Sequence, residues 1–369
     1  MTGQQTIDWD SIAEVLVEHS AKVAEGDRVA IAMTELHAYP LTLALYRRCV
    51  EAGAYPQVQL LSAELKDTVL RHGSSQQVSW VPELEAHTMD WADVYFGLRG
   101  AANLYAHHDI APDVLVAHQA AMGTISAHRW EKTRWCLVRI PDETMAVAAR
   151  TSATELSTMF ARACTIDWDV YSKRWQQLAD WLTASHEIAL VGEHTHLTFT
   201  TRGRRWVVFA GEKNLPDGEI ATAPVVESVN GHISFNLPGV LGGRIVEGIR
   251  LRWKDGVLTD ATAHTNQEYL RRVLDTDEGA SLLGEFGIGV NPEINRFSYD
   301  ILYDEKMVGT VHAALGRAYP ECGGTNQSSI HWDIIHDMRQ GDTLYADSQP
   351  LDISDWSLAA PTRDHNENG

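Results

Sequence analysis

Short apolar runs separated by stretches of helical period fill the first half of the chain. Residues 29–33 (VAIAM) read as a strand, residues 41–52 space their apolar side chains as a helix does, and residues 57–61 are strand-like again. That succession predicts a βαβ unit and with it a parallel sheet. Further runs at 94–98, 114–117 and 136–140 extend the same sheet as additional strands, with polar helical stretches between them. Neither GxGxxG nor GxxxxGK(S/T) accompanies these strands, so the sheet carries no nucleotide signature and is expected to act as a scaffold. From 151 to 185 the period is helical, with Leu156, Met159, Phe160 and Ala163 on one face and Trp175, Leu178, Trp181 and Leu182 on another. The tryptophans read as core anchors.

Beyond residue 186 the texture changes. Alternating runs such as HLTFT, RWVVF, HISFN and RIVEGIRLRW follow one another, with Asp-Gly and Asn-Gly turn signals at 217, 230 and 255. The chain is therefore expected to divide into an α/β domain with a mainly parallel sheet over 1–186 and an α+β domain with antiparallel strands over 187–369, the latter carrying a helix around 267–273. The polar tail 362–369 is expected to fray.

Composition adds boundaries to this picture. At 369 residues the chain exceeds one ordinary core, in keeping with two domains, and 44% hydrophobic against 22% charged residues indicates packed structure throughout. Thirty basic against fifty acidic residues leave a formal charge of −20, which argues against nucleic acid or an anionic membrane surface as a partner. Cys49, Cys136, Cys164 and Cys322 are widely spaced and read as core thiols in a reducing compartment. No basic segment followed by an apolar run opens the sequence, and no stretch supplies the ~18 apolar residues of a spanning helix, so a cytoplasmic location is expected.

Candidate chemistry is concentrated late in the chain. In GTVHAALGRAY, from Gly309, His312 and Tyr319 stand in an apolar, glycine-bounded stretch; in SSIHWD, His331 and Asp333 are two residues apart and would leave a strand from one face. Imidazole and carboxylate together suit a metal ion. In GEFGIGVNP, Glu285 lies between glycines, where the backbone turns sharply or something approaches closely. In NLPDGEIATAP, Glu219 follows an Asp-Gly turn at the start of a strand-like run. Taken singly these fragments describe a satisfied core histidine or a solvated turn carboxylate more readily than a site. His194, His196, His232, His264 and His336 show no comparable context and read as packing or surface histidines.

The ordered set NLPDGE, GEFGIGVNP, GTVHAALGRAY and IHWD resembles the aminopeptidase T family of thermophilic-type metallo-exopeptidases, well over about the last 180 residues and only in general α/β character before them. The resemblance implies a metallopeptidase hydrolase with a dinuclear metal site. Its ligands would be Glu219, Glu285, His312, Tyr319, His331 and Asp333, with Glu219, Glu285 and Tyr319 also in catalytic roles. Two divalent ions, zinc, cobalt or manganese, would polarise a carbonyl and lower the pKa of a water. It further implies a homodimer whose partner subunit helps enclose an internal cavity, and a small amide or short peptide as substrate. The stretch between Tyr319 and His331 is shorter than in the founding aminopeptidases, which leaves peptide specificity open. The same superfamily resembles 2,5-dihydroxypyridine 5,6-dioxygenases, so one Fe(II) in a ring-cleaving site is an alternative, as is a non-enzymatic metal-binding protein. Glu285, standing where the dioxygenases are expected to place a histidine, favours the hydrolase.

Overall fold

In the computed structural model, which describes residues 7–100, 107 and 109–351, the chain forms two compact units. One comprises Met1–Ile166 with Gly211–Asp217; the other comprises Asp167–Ala210 with Gly218–Gly369. The tail at 362–369 lies outside the described residues.

The first unit is built on a five-stranded parallel sheet in the order Tyr55–Leu60, Arg28–Met33, Val94–Arg99, Arg134–Arg139 and Asn214–Leu215. Its inner strands are near-continuous apolar runs because both faces of a parallel sheet are covered: every residue from Val29 to Met33 is buried. Leu41, Leu45 and Cys49 form the inward stripe of the helix Tyr39–Glu51. The strand expected at 114–117 is instead part of the helix Pro112–Lys132. Proline suits a first helical turn, where its missing N–H costs no hydrogen bond, and a four-residue apolar run is too short for its period to separate strand from helix. The four cysteines are buried and none is in a disulfide.

The second unit opens with the helix Trp168–Ala184, capped by Asp167, and continues into two larger antiparallel sheets and a two-stranded one, Gly239–Leu241 with Arg244–Val246. Thr183 Oγ1 accepts the Trp206 N–H at 3.0 Å, which ties this helix to the strands that follow it. The change of texture at 186 thus marks where helix gives way to strand inside the second unit, which begins at Asp167.

A seven-stranded sheet runs in the order Val257–Thr262, Arg250–Lys254, Asn230–Ser234, Thr195–Thr200, Glu187–Gly192, Thr343–Ala346 and Gln349–Leu351. A five-stranded sheet runs His331–Asp337, Thr310–Gly316, Leu283–Gly289, Glu219–Thr222 and Val207–Phe209. Phe199 of the first meets Phe286 of the second with ring centroids 5.0 Å apart, and Trp206 closes on the same phenylalanine edge-on. Asp255 and Gly256 turn the chain between two strands with positive φ at both positions. Asn230-Gly231, expected as another turn, lies inside a strand. Gly231 is required there by close approach: a Cβ would sit 1.9 Å from the His196 carbonyl oxygen. Among the described residues no helix is long and apolar enough to cross a membrane.

The loop that leads into His331 is held by Asp277, whose carboxylate accepts from Ser328 Oγ at 2.8 Å and from Ser329 N and Oγ at 2.8 and 2.7 Å. These hydrogen bonds hold the Asp277 carboxyl down at about 2. A carboxyl whose folded pKa is depressed contributes stability above its unfolded value, about 4, and loses it as pH falls toward about 2. Asp277→Asn should therefore lower Tm at pH 7 by roughly 2–4 °C, with the gap from wild type narrowing as thermal unfolding is followed down to pH 2.5.

Candidate metal centre

The five-stranded antiparallel sheet decides which side chains meet. Directly opposed residues on neighbouring antiparallel strands share a face, and here Ala314 is opposite both Glu285 and Asp333, His312 opposite Gly287, Gly316 opposite His331, and Gly289 opposite Glu219. One face therefore carries Glu219, Glu285, His312, His331 and Asp333, interleaved with Ala221, Gly287, Gly289, Ala314 and Gly316. Phe286, Ile288, Val311, Leu315, Trp332 and Ile334 occupy the other face and are buried in the core. A bulge at Gly284 is needed for this arrangement, since the register shifts between Leu283 and Glu285 and without it Glu285 would fall on the core face. Glu285 thus stands in a strand and not at a turn, and close approach explains its glycines. A Cβ on Gly284 would lie 2.2 Å from the Gly316 carbonyl oxygen, and one on Gly287 would lie 2.2 Å from His312 Nε2.

Two overlapping groups result, Glu219 with Glu285 and His312, and Glu285 with His331 and Asp333; within each, the donor atoms lie within 4.8 Å of one another. His312 Nε2 faces Glu219 Oε1 at 3.1 Å and Glu285 Oε1 at 3.3 Å. His331 Nε2 faces Glu285 Oε2 at 3.5 Å and Asp333 Oδ1 at 3.3 Å. Glu285 belongs to both groups, one oxygen turned to each histidine. The His331 Nδ1–H donates to the Arg317 carbonyl at 2.7 Å, which orients the ring with Nε2 toward the carboxylates. Tyr319 packs its ring against His331, with centroids 4.9 Å apart. All six residues singled out in the sequence therefore come together.

The electrostatics are those of a negative cluster held away from water. Burial pushes the Glu285 carboxyl up to about 7. For Glu219 burial acts in the same direction, but the Lys306 ammonium and His312 outweigh it and hold the carboxyl well below its usual range. Burial opposes the charged form of both histidines, yet the carboxylates prevail, raising His312 well above its usual value and His331 to about 10. The Tyr319 hydroxyl is raised by burial and then by the surrounding carboxylates, which keeps it protonated. Glu285 Oε2, Asp333 Oδ1 and His312 Nδ1 are buried without a hydrogen-bond partner. Inward-facing carboxylate oxygens in that condition, beside two imidazoles, match what a divalent cation asks of its ligands.

Two neighbours escaped the sequence reading. Lys306 is 1% exposed and its Nζ donates to Glu219 Oε2 and to Glu305 Oε1. In the sequence the run DEKM looks like an ordinary solvated charge cluster, and no periodicity marks it as buried. Among the other histidines singled out in the sequence, His336 pairs with Asp342, and His196 and His232 oppose each other on strands of the seven-stranded sheet.

A family model described as thermophilic metalloprotease (M29) matches residues 6–349. The chain belongs to that family. It is therefore a metal-dependent hydrolase, which sets aside both the ring-cleaving and the non-enzymatic alternatives. Aminopeptidase 2 of Geobacillus stearothermophilus is 26% identical over 383 residues, covering 89% of this chain and 91% of its own. Aminopeptidase T of Thermus thermophilus is 38% identical over a shorter stretch, 36% of this chain and 37% of its own. The solved structure of wild-type AmpT from Thermus thermophilus superposes with a TM-score of 0.81 at 23% identity, covering 94% of this chain and 98% of that one, and so shares the fold.

Gly287→Ala tests the role of the small residues in this M29 sheet. Its Cβ would displace the His312 ring, so the variant should fold while its zinc affinity, measured by chelator competition, falls about ten-fold or more.

Proposed function

We propose that this chain is a dinuclear metallo-aminopeptidase of short peptides, with Glu219, Glu285 and His312 holding one divalent ion, Glu285, His331 and Asp333 holding the other, and Glu285 shared between them. The observation that carries this reading is the division of Glu285, one oxygen toward His312 and the other toward His331. Three carboxylates and two neutral imidazoles suit zinc, cobalt or manganese. Bound there, the ions supply Lewis acidity toward a peptide carbonyl and lower the pKa of a water.

The protein's own contribution is to fix these groups and to complete the charge pattern around the reacting carbonyl. His331 is locked by the Arg317 carbonyl and Glu219 by Lys306, so neither must reorganise as charge develops. Tyr319, packed on His331, is assigned the role of hydrogen-bond donor to the tetrahedral oxyanion. The aminopeptidase names of its relatives support an N-terminal peptide bond as the target. Four buried cysteines outside any disulfide support a reducing, cytoplasmic setting, and the family resemblance supports a homodimer.

Elemental analysis of protein purified without chelator should give close to two zinc, cobalt or manganese ions per chain, falling toward one in Glu219→Ala; a single ion retained in that variant overturns the dinuclear assignment. Aminoacyl amides should be hydrolysed and their N-acetylated counterparts spared, whereas equal cleavage of both would point to a general amidase. Tyr319→Phe should keep its metal and its KM while kcat drops about 10²–10³-fold, the cost of losing one oxyanion donor. An unchanged kcat would remove Tyr319 from the chemistry.

A further inference from the structure

The two oxygens of Glu219 have different neighbours. Oε1 faces His312 Nε2 at 3.1 Å, whereas Oε2 accepts from the buried Lys306 ammonium, which is itself braced by Glu305 Oε1. Glu285, on the next strand, has a histidine before each oxygen. An ammonium withdrawn from water is costly unless its charge is matched, so a lysine enclosed here calls for a local role.

The backbone beneath Lys306 is fixed. Its carbonyl accepts from Asn291 N–H at 3.1 Å, Asn291 forms a parallel bridge with Met307, and a Cβ on Gly289, the residue opposite Glu219, would lie 2.2 Å from the Met307 carbonyl oxygen. The segment that carries the lysine is thus packed directly on the strand pair that carries the glutamate.

We propose that Lys306 is a positioning residue of the metal centre: by occupying Oε2 it confines Glu219 to one-oxygen ligation through Oε1, which makes Glu219 a terminal ligand and keeps a coordination position open for substrate. A carboxylate with no competing cation can close on a dication through both oxygens and fill that position. Glu305 holds the same ammonium through Oε1, so the pair acts as one fixture. This inference rests on the metal-centre reading above.

Lys306→Met, which keeps the length of the side chain and removes its charge, is the test, with both forms loaded with cobalt(II). The variant should keep its ion count while the intensity of the visible cobalt band drops to about half or less, as coordination number rises when Glu219 binds through both oxygens. Its kcat should fall about ten-fold or more with KM little changed. A lysine that only stabilised the fold would lower Tm and leave the cobalt band and kcat as they are, and that result overturns the proposal. Failure of the wild type to take up metal would instead overturn the metal-centre reading itself. Should the variant not fold, the crystal structure of the zinc-loaded wild type decides: Glu219 on the ion through one oxygen with the other on Lys306 Nζ upholds the proposal, and both oxygens on the ion overturn it.

Discussion

Placing three carboxylates on one enclosed face of a sheet is the constraint that the second unit is built around. Glu219 and Glu285 are 4% and 2% exposed, and Asp333 is next to them. Carboxylates in such surroundings repel one another and lose their hydration, so each must be neutralised, paired or metal-bound. The protein's own cations meet part of that need: Lys306 serves Glu219, and the two histidines are drawn toward protonation. Oxygens without hydrogen-bond partners on Glu285 and Asp333 mark what remains for a divalent cation to satisfy.

Sheet register converts that requirement into geometry. The alternation of strand side chains turns an apolar set into the core and leaves the opposite set for the ligands. Between the ligands stand glycines and alanines, and a side chain at Gly287 would run into the His312 ring. The single bulge at Gly284 brings Glu285 onto this face, so one irregularity in one strand determines whether the two ligand groups share a carboxylate. The same sheet continues through Glu219, whose strand is reached through the Asp217-Gly218 step, Gly218 having a φ of +130°.

Lys306 and Glu305 extend the centre beyond its donors. They lie in a segment anchored to Asn291 and Gly289, so the position of Glu219 depends on a stretch about ninety residues further along the chain. The loop at 326–330, secured by Asp277 and by Asn326 donating to the Gly279 carbonyl, similarly fixes the entry of His331. Positioning from a distance of this kind is what lets short, glycine-rich strands present reactive groups without local freedom.

Strand alternation made part of the site legible in advance. The two-residue spacing of His331 and Asp333 placed them on one face, and the motifs around Glu219, Glu285, His312 and Tyr319 carried the family resemblance because their residue types and order are local properties of the chain. The parallel sheet of the first unit was legible for the same reason, its strands being short apolar runs of a recognisable period. Residues 114–117 and Asn230-Gly231 were misread because an apolar run of four, or a turn-prone pair, has the same local signature in a helix or a strand as elsewhere. Only the tertiary structure could show that the DEKM lysine is buried, that a bulge redirects Glu285, and that Glu285 faces both histidines. Those facts depend on which strands pair and in what register, and pairing is set by long-range packing that no local window of sequence contains.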